Sequence, residues 1–151
     1  MINPTTTRLQ RLTAAIPLLI AQCSEEELTH KPDPHRWSKK EIIGHLIDSA
    51  INNHVRFVRM RFETSPLLIE SYAQDDWVQV HAYAHWSTEW LLRSWQSQQE
   101  QIIRLMEHTS EQEWQRTCDT GDHHFRTLRW LYEDYVAHLE HHLRQIIAYD
   151  L

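Results

Sequence analysis

The chain has 151 residues, of which 41% are hydrophobic and 24% are charged, and its formal net charge is −6. This length fits one domain, residues 1–151, that buries a single core. The acidic balance argues against a nucleic-acid partner, and two glycines are too few for a turn-rich β protein.

Apolar spacing and capping signals predict two long helices in the first half of the chain. The first covers residues 6–23, where leucines and isoleucines recur on one face. The second begins after Ser38, because Ser38 and Glu41 have the spacing of a capping box, and it continues to about Phe62. Residues 64–86 then form a long connection, with one helical turn expected near residues 75–77.

The second half of the chain predicts two more long helices. The third covers residues 87–107, and one further helical turn follows at residues 110–114. Residues 117–126 are interpreted as a small hairpin or an open loop, and Thr127 caps the fourth helix, residues 128–149. This pattern predicts an all-α four-helix bundle with long connections between helices 2 and 3 and between helices 3 and 4.

The two cysteines, Cys23 and Cys118, show no metal-ligand spacing. We interpret them as reduced thiols of a cytoplasmic protein. The apolar run at residues 12–23 is too short to span a membrane and is interrupted by Pro17. We therefore expect a cytoplasmic location and no membrane partner.

The run His138-Leu139-Glu140-His141-His142 lies in the fourth predicted helix. His138 and His142 are four residues apart, so they stack on one helix face and can reach the same metal ion. His45 in the second helix would add a third imidazole and leave an open coordination position, as in catalytic zinc sites. Chance is the alternative explanation, because the chain contains twelve histidines.

A polar stripe accompanies His45 along the second helix. At 100° per residue, it contains Ser49, Asn52 and Arg56, with Asp48 beside them. Apolar residues occupy most of the remaining circumference, so the stripe is expected to face a wet internal site, with a solvated surface as the alternative. Asp48 is a candidate general base. Arg56 is a candidate for holding an anionic thiol, or for a surface ion pair.

Asp134 precedes His138 by one helical turn. Its carboxylate is placed to accept the second ring proton of a ligand histidine, which would fix the tautomer that binds metal. A solvated surface charge is the alternative. Glu140 points away from the histidine pair, and no HExxH motif occurs, so zincin-type peptidase chemistry is not indicated.

Two segments resemble motifs of the DinB-like superfamily, which includes the DinB and YfiT proteins. Residues 37–46, WSKKEIIGHL, resemble its WSxxExxGHL opening, and residues 138–146, HLEHHLRQI, resemble its HxxHHxxQI closing pattern. The resemblance covers nearly the whole chain and implies a four-helix bundle. It also implies one divalent metal per chain, held by His45, His138 and His142, with His141 outside the ligand set.

The resemblance leaves the reaction open. Members of the superfamily are labelled metal-dependent hydrolases, and some instead use a low-molecular-weight thiol as substrate or cofactor. The first hypothesis is therefore a thiol transferase that acts on a small electrophile, with Zn²⁺ or Ni²⁺ as the metal. A hydrolase that activates water and a non-catalytic metal-binding protein are the alternatives. The resemblance also leads us to expect a homodimer.

Overall fold

Four long helices form the frame of the protein in a computed structural model that describes residues 3–151. The four long helices are α1 (Pro4–Ile20), α3 (Lys39–Phe62), α5 (Thr88–Glu107) and α7 (Leu128–Ile146). Three short helices lie in the connections: α2 (Glu25–Thr29), α4 (Gln74–His81) and α6 (Glu111–Trp114). Around the bundle α1 packs on α5, α5 on α3, α3 on α7 and α7 on α1. The predicted four-helix bundle is confirmed, and the two histidine-bearing helices, α3 and α7, lie side by side.

The starts of α3 and α7 follow from local capping chemistry. The backbone N–H of Ser38 donates to the Glu41 carboxylate at 2.7 Å, and Ser38 Oγ accepts from the Glu41 N–H at 3.3 Å. This reciprocal pair satisfies two backbone donors that a helix end leaves unpaired. Thr127 caps α7 by accepting from the N–H of Trp130. Both predicted starts are confirmed, as is the end of α3 at Phe62.

The predicted ends of the first and fourth helices are wrong. α1 ends at Ile20 rather than residue 23, and a second capping box, made by Ser24 and Glu27, starts the short helix α2. α2 is missing from the sequence-based prediction. α7 ends at Ile146 rather than residue 149, because Ile147 adopts extended backbone with φ −147° and ψ 143°.

The two long connections meet in a small sheet at one end of the bundle. Its strands are β1 (Leu67–Leu68), β2 (Thr117–Asp119) and β3 (Phe125–Thr127). β2 and β3 are antiparallel, which confirms the hairpin alternative for residues 117–126. β1 adds to β2 in parallel and was not predicted. The single turn expected near residues 75–77 is the eight-residue helix α4, followed by a 3-10 turn at Tyr83–His85.

α3 is enclosed by its neighbours at the level where it carries His45. Every residue from 42 to 50 is buried. The polar stripe is therefore internal at His45, Asp48 and Ser49, as expected, and it reaches half-buried positions at Asn52 and Arg56. Within residues 3–151, no helix is both long enough and apolar enough to cross a lipid bilayer.

Candidate metal centre

His45 meets His138 and His142 between α3 and α7. One ligand nitrogen from each ring lies within 4.8 Å of the others. The ring centroids are 5.4 Å apart for His45 and His138, 4.8 Å for His45 and His142, and 4.6 Å for the α7 pair. Nitrogens on one tetrahedral zinc, each at about 2.0–2.1 Å, lie roughly 3.4 Å from each other. Small side-chain rotations would therefore bring the three rings into coordination geometry.

The His45 ring has no polar partner in the part of the chain that the structure describes. The residue is fully buried, and neither Nδ1 nor Nε2 makes a hydrogen bond. A buried polar group without a partner costs about 1–3 kcal/mol, so such groups are rare in native proteins. The Trp37 ring packs against His45, with centroids 4.8 Å apart, and holds it beside the α7 pair. An orphaned imidazole facing two others fits a divalent cation.

Their surroundings favour the neutral form of all three imidazoles. Burial, with a smaller contribution from the neighbouring histidines, lowers the pKa of His45 to about 3 and that of His138 to about 4. Burial also lowers the pKa of His142. Neutral imidazole is the form that binds metal. Because three neutral ligands cancel none of a cation's charge, the donor set suits a metal that polarises a substrate.

Gln145 contacts the histidine cluster from one turn further along α7. Its side-chain oxygen accepts from Nδ1 of His142 at 3.0 Å, and its amide nitrogen contacts Nε2 of His141 at 3.2 Å. Gln145 was not predicted from the sequence for this role, although spacings of three and four residues on a helix do place side chains together. His141 itself is exposed and lies outside the convergent group.

Asp134 is exposed on α7. In the part of the chain that the structure describes, Asp134 makes no hydrogen bond to His138 or His142. The side chain that contacts the His142 ring is Gln145. Asp134 and His138 do line the same cleft. The supporting role of Asp134 stays a prediction.

Asp48 is fully buried one turn after His45. Its Oδ1 accepts a hydrogen bond from the Tyr83 hydroxyl at 2.6 Å and lies 3.6 Å from Nδ1 of His81. Its Oδ2 has no partner among the described residues. Burial raises the pKa of Asp48 above its ordinary value, which is the direction a general base near neutral pH requires. Its catalytic role stays a prediction.

A cleft of about 340 Å³ opens beside His138, between α3, α7 and the small sheet. Its walls include Ser49, Tyr72, Arg56 and Arg126. Clefts of this size next to a reactive group are typical small-molecule sites. Arg56, chosen from the sequence, is therefore in the same cleft as one of the proposed metal ligands.

A model of the DinB superfamily matches residues 8–146. The chain belongs to the DinB superfamily. The match covers the four long helices almost completely and includes all three convergent histidines.

One relative resembles this chain in sequence and one solved structure resembles it in fold. A Halalkalibacterium halodurans protein, provisionally named as a metal-dependent hydrolase, is 26% identical over 145 residues, which cover 96% of this chain and 81% of that protein. The structure of Bacillus subtilis YfiT, described as a probable metal-dependent hydrolase, matches with a TM-score of 0.78 and 20% identity over 93% of this chain and 83% of YfiT.

A longer protein shares the same bundle. A variant of mycothiol-dependent maleylpyruvate isomerase matches with a TM-score of 0.76 and 12% identity, over 99% of this chain and 62% of the isomerase. At such identity the match shows a common fold, and the chemistry must be argued from the residues of this chain.

Proposed function

We propose that this DinB-superfamily protein binds one divalent metal per chain and transfers a low-molecular-weight thiol to a small electrophile. His45, His138 and His142 are the proposed ligands. The observation that carries the proposal is the buried His45 ring, which has no polar partner and faces two neutral imidazoles. Zn²⁺ and Ni²⁺ suit such nitrogen ligands. The cation would supply the positive charge that lowers the pKa of a thiol in its open position.

The side chains of this chain hold the ligands and make room for the reactants. Gln145 fixes the proton of His142 on Nδ1, and Trp37 restrains His45 by packing. The cleft beside His138 can place an electrophile next to the centre. In the transfer, the sulfur forms a bond to the electrophilic carbon and the leaving group departs with its bonding electrons. The thiol proton passes to solvent.

The comparisons support a thiol reaction, and they also support hydrolysis, which is the main alternative function. A mycothiol-dependent isomerase has this bundle fold, which supports the view that the fold can serve a thiol. Two relatives instead bear names of metal-dependent hydrolases. Asp134 lines the cleft together with His138. A carboxylate there would serve as a proton acceptor for an attacking water, so hydrolysis is the second candidate.

The decisive experiment compares both reactions on one preparation. Protein stripped with a chelator and reloaded with Zn²⁺ or Ni²⁺ is assayed for conjugation of monochlorobimane with cysteine, glutathione, coenzyme A or mycothiol. Ester hydrolysis is followed in parallel without thiol. We expect metal-dependent conjugation that disappears in His138→Ala and persists in the matched variant His141→Ala. Metal-dependent hydrolysis without thiol would favour the second candidate, and bound metal with neither reaction would indicate a non-catalytic role.

A further inference from the structure

The cleft beside His138 contains a cation without a counter-charge. Arg56 is half-buried, and its Nη2 donates to the backbone carbonyl of Glu70 at 2.6 Å. Its Nη1 makes only a long contact, 3.4 Å, with Oδ1 of Asn53. Among the side chains of residues 3–151, no carboxylate forms an ion pair with it, so the surface ion pair considered from the sequence is not seen. An arginine remains charged even when burial lowers its pKa, as it does here.

Several other arginines pair with carboxylates, whereas, in the described part of the chain, the half-buried Arg116 donates only to the backbone carbonyls of Met60 and Glu63. Arg126 lines the same cleft, but it donates to both carboxylate oxygens of Asp122, at 2.8 and 2.7 Å. Arg61 likewise pairs with Glu113 at 2.7 Å. Removing a guanidinium from water without an opposite charge is costly. Arg56 differs from Arg116 in that it lines the cleft beside His138, where an anionic ligand would supply the missing charge.

Tyr72 provides a second unsatisfied group in the same cleft. Its hydroxyl is buried, and the side chain of Ser49, which lies near it, does not make a hydrogen bond of normal geometry with it. Burial raises the pKa of Tyr72 to about 12, so the hydroxyl keeps its proton at neutral pH and can donate it to an acceptor. A guanidinium without a counter-charge and a phenol that keeps its proton are together complementary to a carboxylate or similar oxyanion.

We infer that Arg56, together with Tyr72, binds an anionic group, such as a carboxylate, on a molecule that reacts at the metal centre. This inference rests on the proposed function and names a substrate class for it. The anion could belong to the thiol or to the electrophile, since both would share the cleft. Arg56 acts here as a specificity-determining residue rather than as a participant in bond formation.

The helix geometry also sets the length of the ligand. Arg56 follows His45 by eleven residues on α3, a rise of about 16 Å along the axis and close to three full turns. An extended arginine side chain of roughly 6 Å can recover part of that rise, because helical side chains tilt toward the N-terminus. The anionic group and the reacting atom should therefore be on the order of 10 Å apart, which excludes very short thiols such as 3-mercaptopropionate from binding at both points.

Two activity series test the inference with matched charged and neutral probes. In the first, 8-mercaptooctanoate and 8-mercapto-1-octanol react with monochlorobimane on zinc-loaded protein. In the second, 2-mercaptoethanol reacts with 8-bromooctanoate or its methyl ester. Arg56→Gln should lower kcat/KM at least tenfold for the carboxylate in one series or both, and less than twofold for its neutral partner. The affected series identifies which reactant carries the anion.

Arg59→Gln is the matched control, because it removes the same charge from the same helix. Arg59 is paired with Glu63 instead of lacking a counter-charge. It should alter neither series. Arg56→Lys should recover part of the lost activity, since it restores the charge without the planar fork. Equal losses for the charged and neutral probes, or no loss in either series, would overturn the inference.

A binding measurement separates this inference from the proposed function. Calorimetry with octanoate and 1-octanol is performed on wild-type protein and Arg56→Gln, each with and without zinc. At least tenfold weaker binding of octanoate to the variant, with 1-octanol unchanged, would support the anion site even if no thiol is transferred. Unchanged octanoate affinity would overturn the site even if the transferase activity is found.

Discussion

The side-chain amide of Gln145 connects His142, in the histidine cluster between α3 and α7, to His141 on the surface. Its oxygen lies 3.0 Å from Nδ1 of His142, and its nitrogen lies 3.2 Å from Nε2 of His141. An amide oxygen can only accept, so this orientation of the amide places the proton of His142 on Nδ1. This leaves the lone pair of Nε2 for a metal, so Gln145 selects the tautomer that can act as a ligand.

Replacing Gln145 should weaken metal binding without removing any ligand. Gln145→Leu is expected to lower the affinity about 10- to 100-fold, the usual effect of losing a group that orients a ligand histidine. Gln145→Glu keeps an acceptor and should stay close to wild type, as should His141→Ala. The measurement is competition for zinc against a chromophoric chelator. Equal affinities for Gln145→Leu and wild type would contradict the orienting role.

His45→Leu should separate metal binding from folding. In a chelator, the variant should be as stable as wild type or more stable by about 1 kcal/mol, because leucine needs no polar partner in a buried position. Wild type should gain stability on addition of zinc, and the variant should not. Elemental analysis should find about one metal per wild-type chain and less than a tenth of that in the variant. A variant that still binds one metal would place the centre elsewhere.

The stability of the metal-free protein should fall as the pH is lowered below about 6.5. An unfolded histidine has a pKa near 6.5, whereas folding lowers the pKa of His45 to about 3 and of His138 to about 4. Between these values the unfolded chain binds protons that the folded chain does not, so acid favours unfolding. Urea titrations in a chelator at pH 7.5, 5.5 and 4.5 measure the effect. His45→Leu should show a shallower loss, and identical slopes for the two proteins would contradict the assignment.

The sequence predicts those parts of the fold that depend on local chemistry. The cap at Ser38 and the cap at Thr127 are decided by hydrogen bonds within four residues, and both are confirmed. The second capping box, at Ser24, had the same readable signal, so α2 could have been predicted. β1 could not, because two residues become a strand only when they meet β2, about fifty residues away in the chain.

The candidate site also has one part that local sequence predicts and another part that depends on the assembled fold. The four-residue spacing of His138 and His142 is visible in one helix, whereas the approach of His45 depends on the packing of α3 against α7 and was implied only by spacing and resemblance. The lack of a counter-charge at Arg56 could not be predicted, since it depends on which acidic residues from other elements come near it. Unpaired polar groups are a property of the assembled fold.

The homodimer expected from the family resemblance can be tested on one face of α3. Four exposed apolar side chains lie along it at intervals of four, three and four residues: Ile51, Val55, Val58 and Phe62. A twofold contact between copies would bury this stripe on both partners. Light scattering at micromolar concentration should report a dimer for wild type and a monomer for Val55→Glu. The matched variant Val80→Glu, at an exposed position on α4, should remain dimeric, and a monomeric wild type would remove the prediction.

Gly44→Ala should disturb the contact that holds Tyr83 over α3. A Cβ atom at residue 44 would lie 2.0 Å from Cδ2 of the Tyr83 ring, so the ring must move and its 2.6 Å hydrogen bond to Asp48 must break. We expect a destabilisation of about 2–3 kcal/mol from overpacking and from the unpaired buried carboxyl group. The measurement is urea denaturation of Gly44→Ala in the wild-type and Tyr83→Ala backgrounds. Once the ring is absent the added methyl group has space, so the cost should largely disappear in the double variant. An unchanged cost in both backgrounds would mean that Tyr83 is not what requires glycine at residue 44.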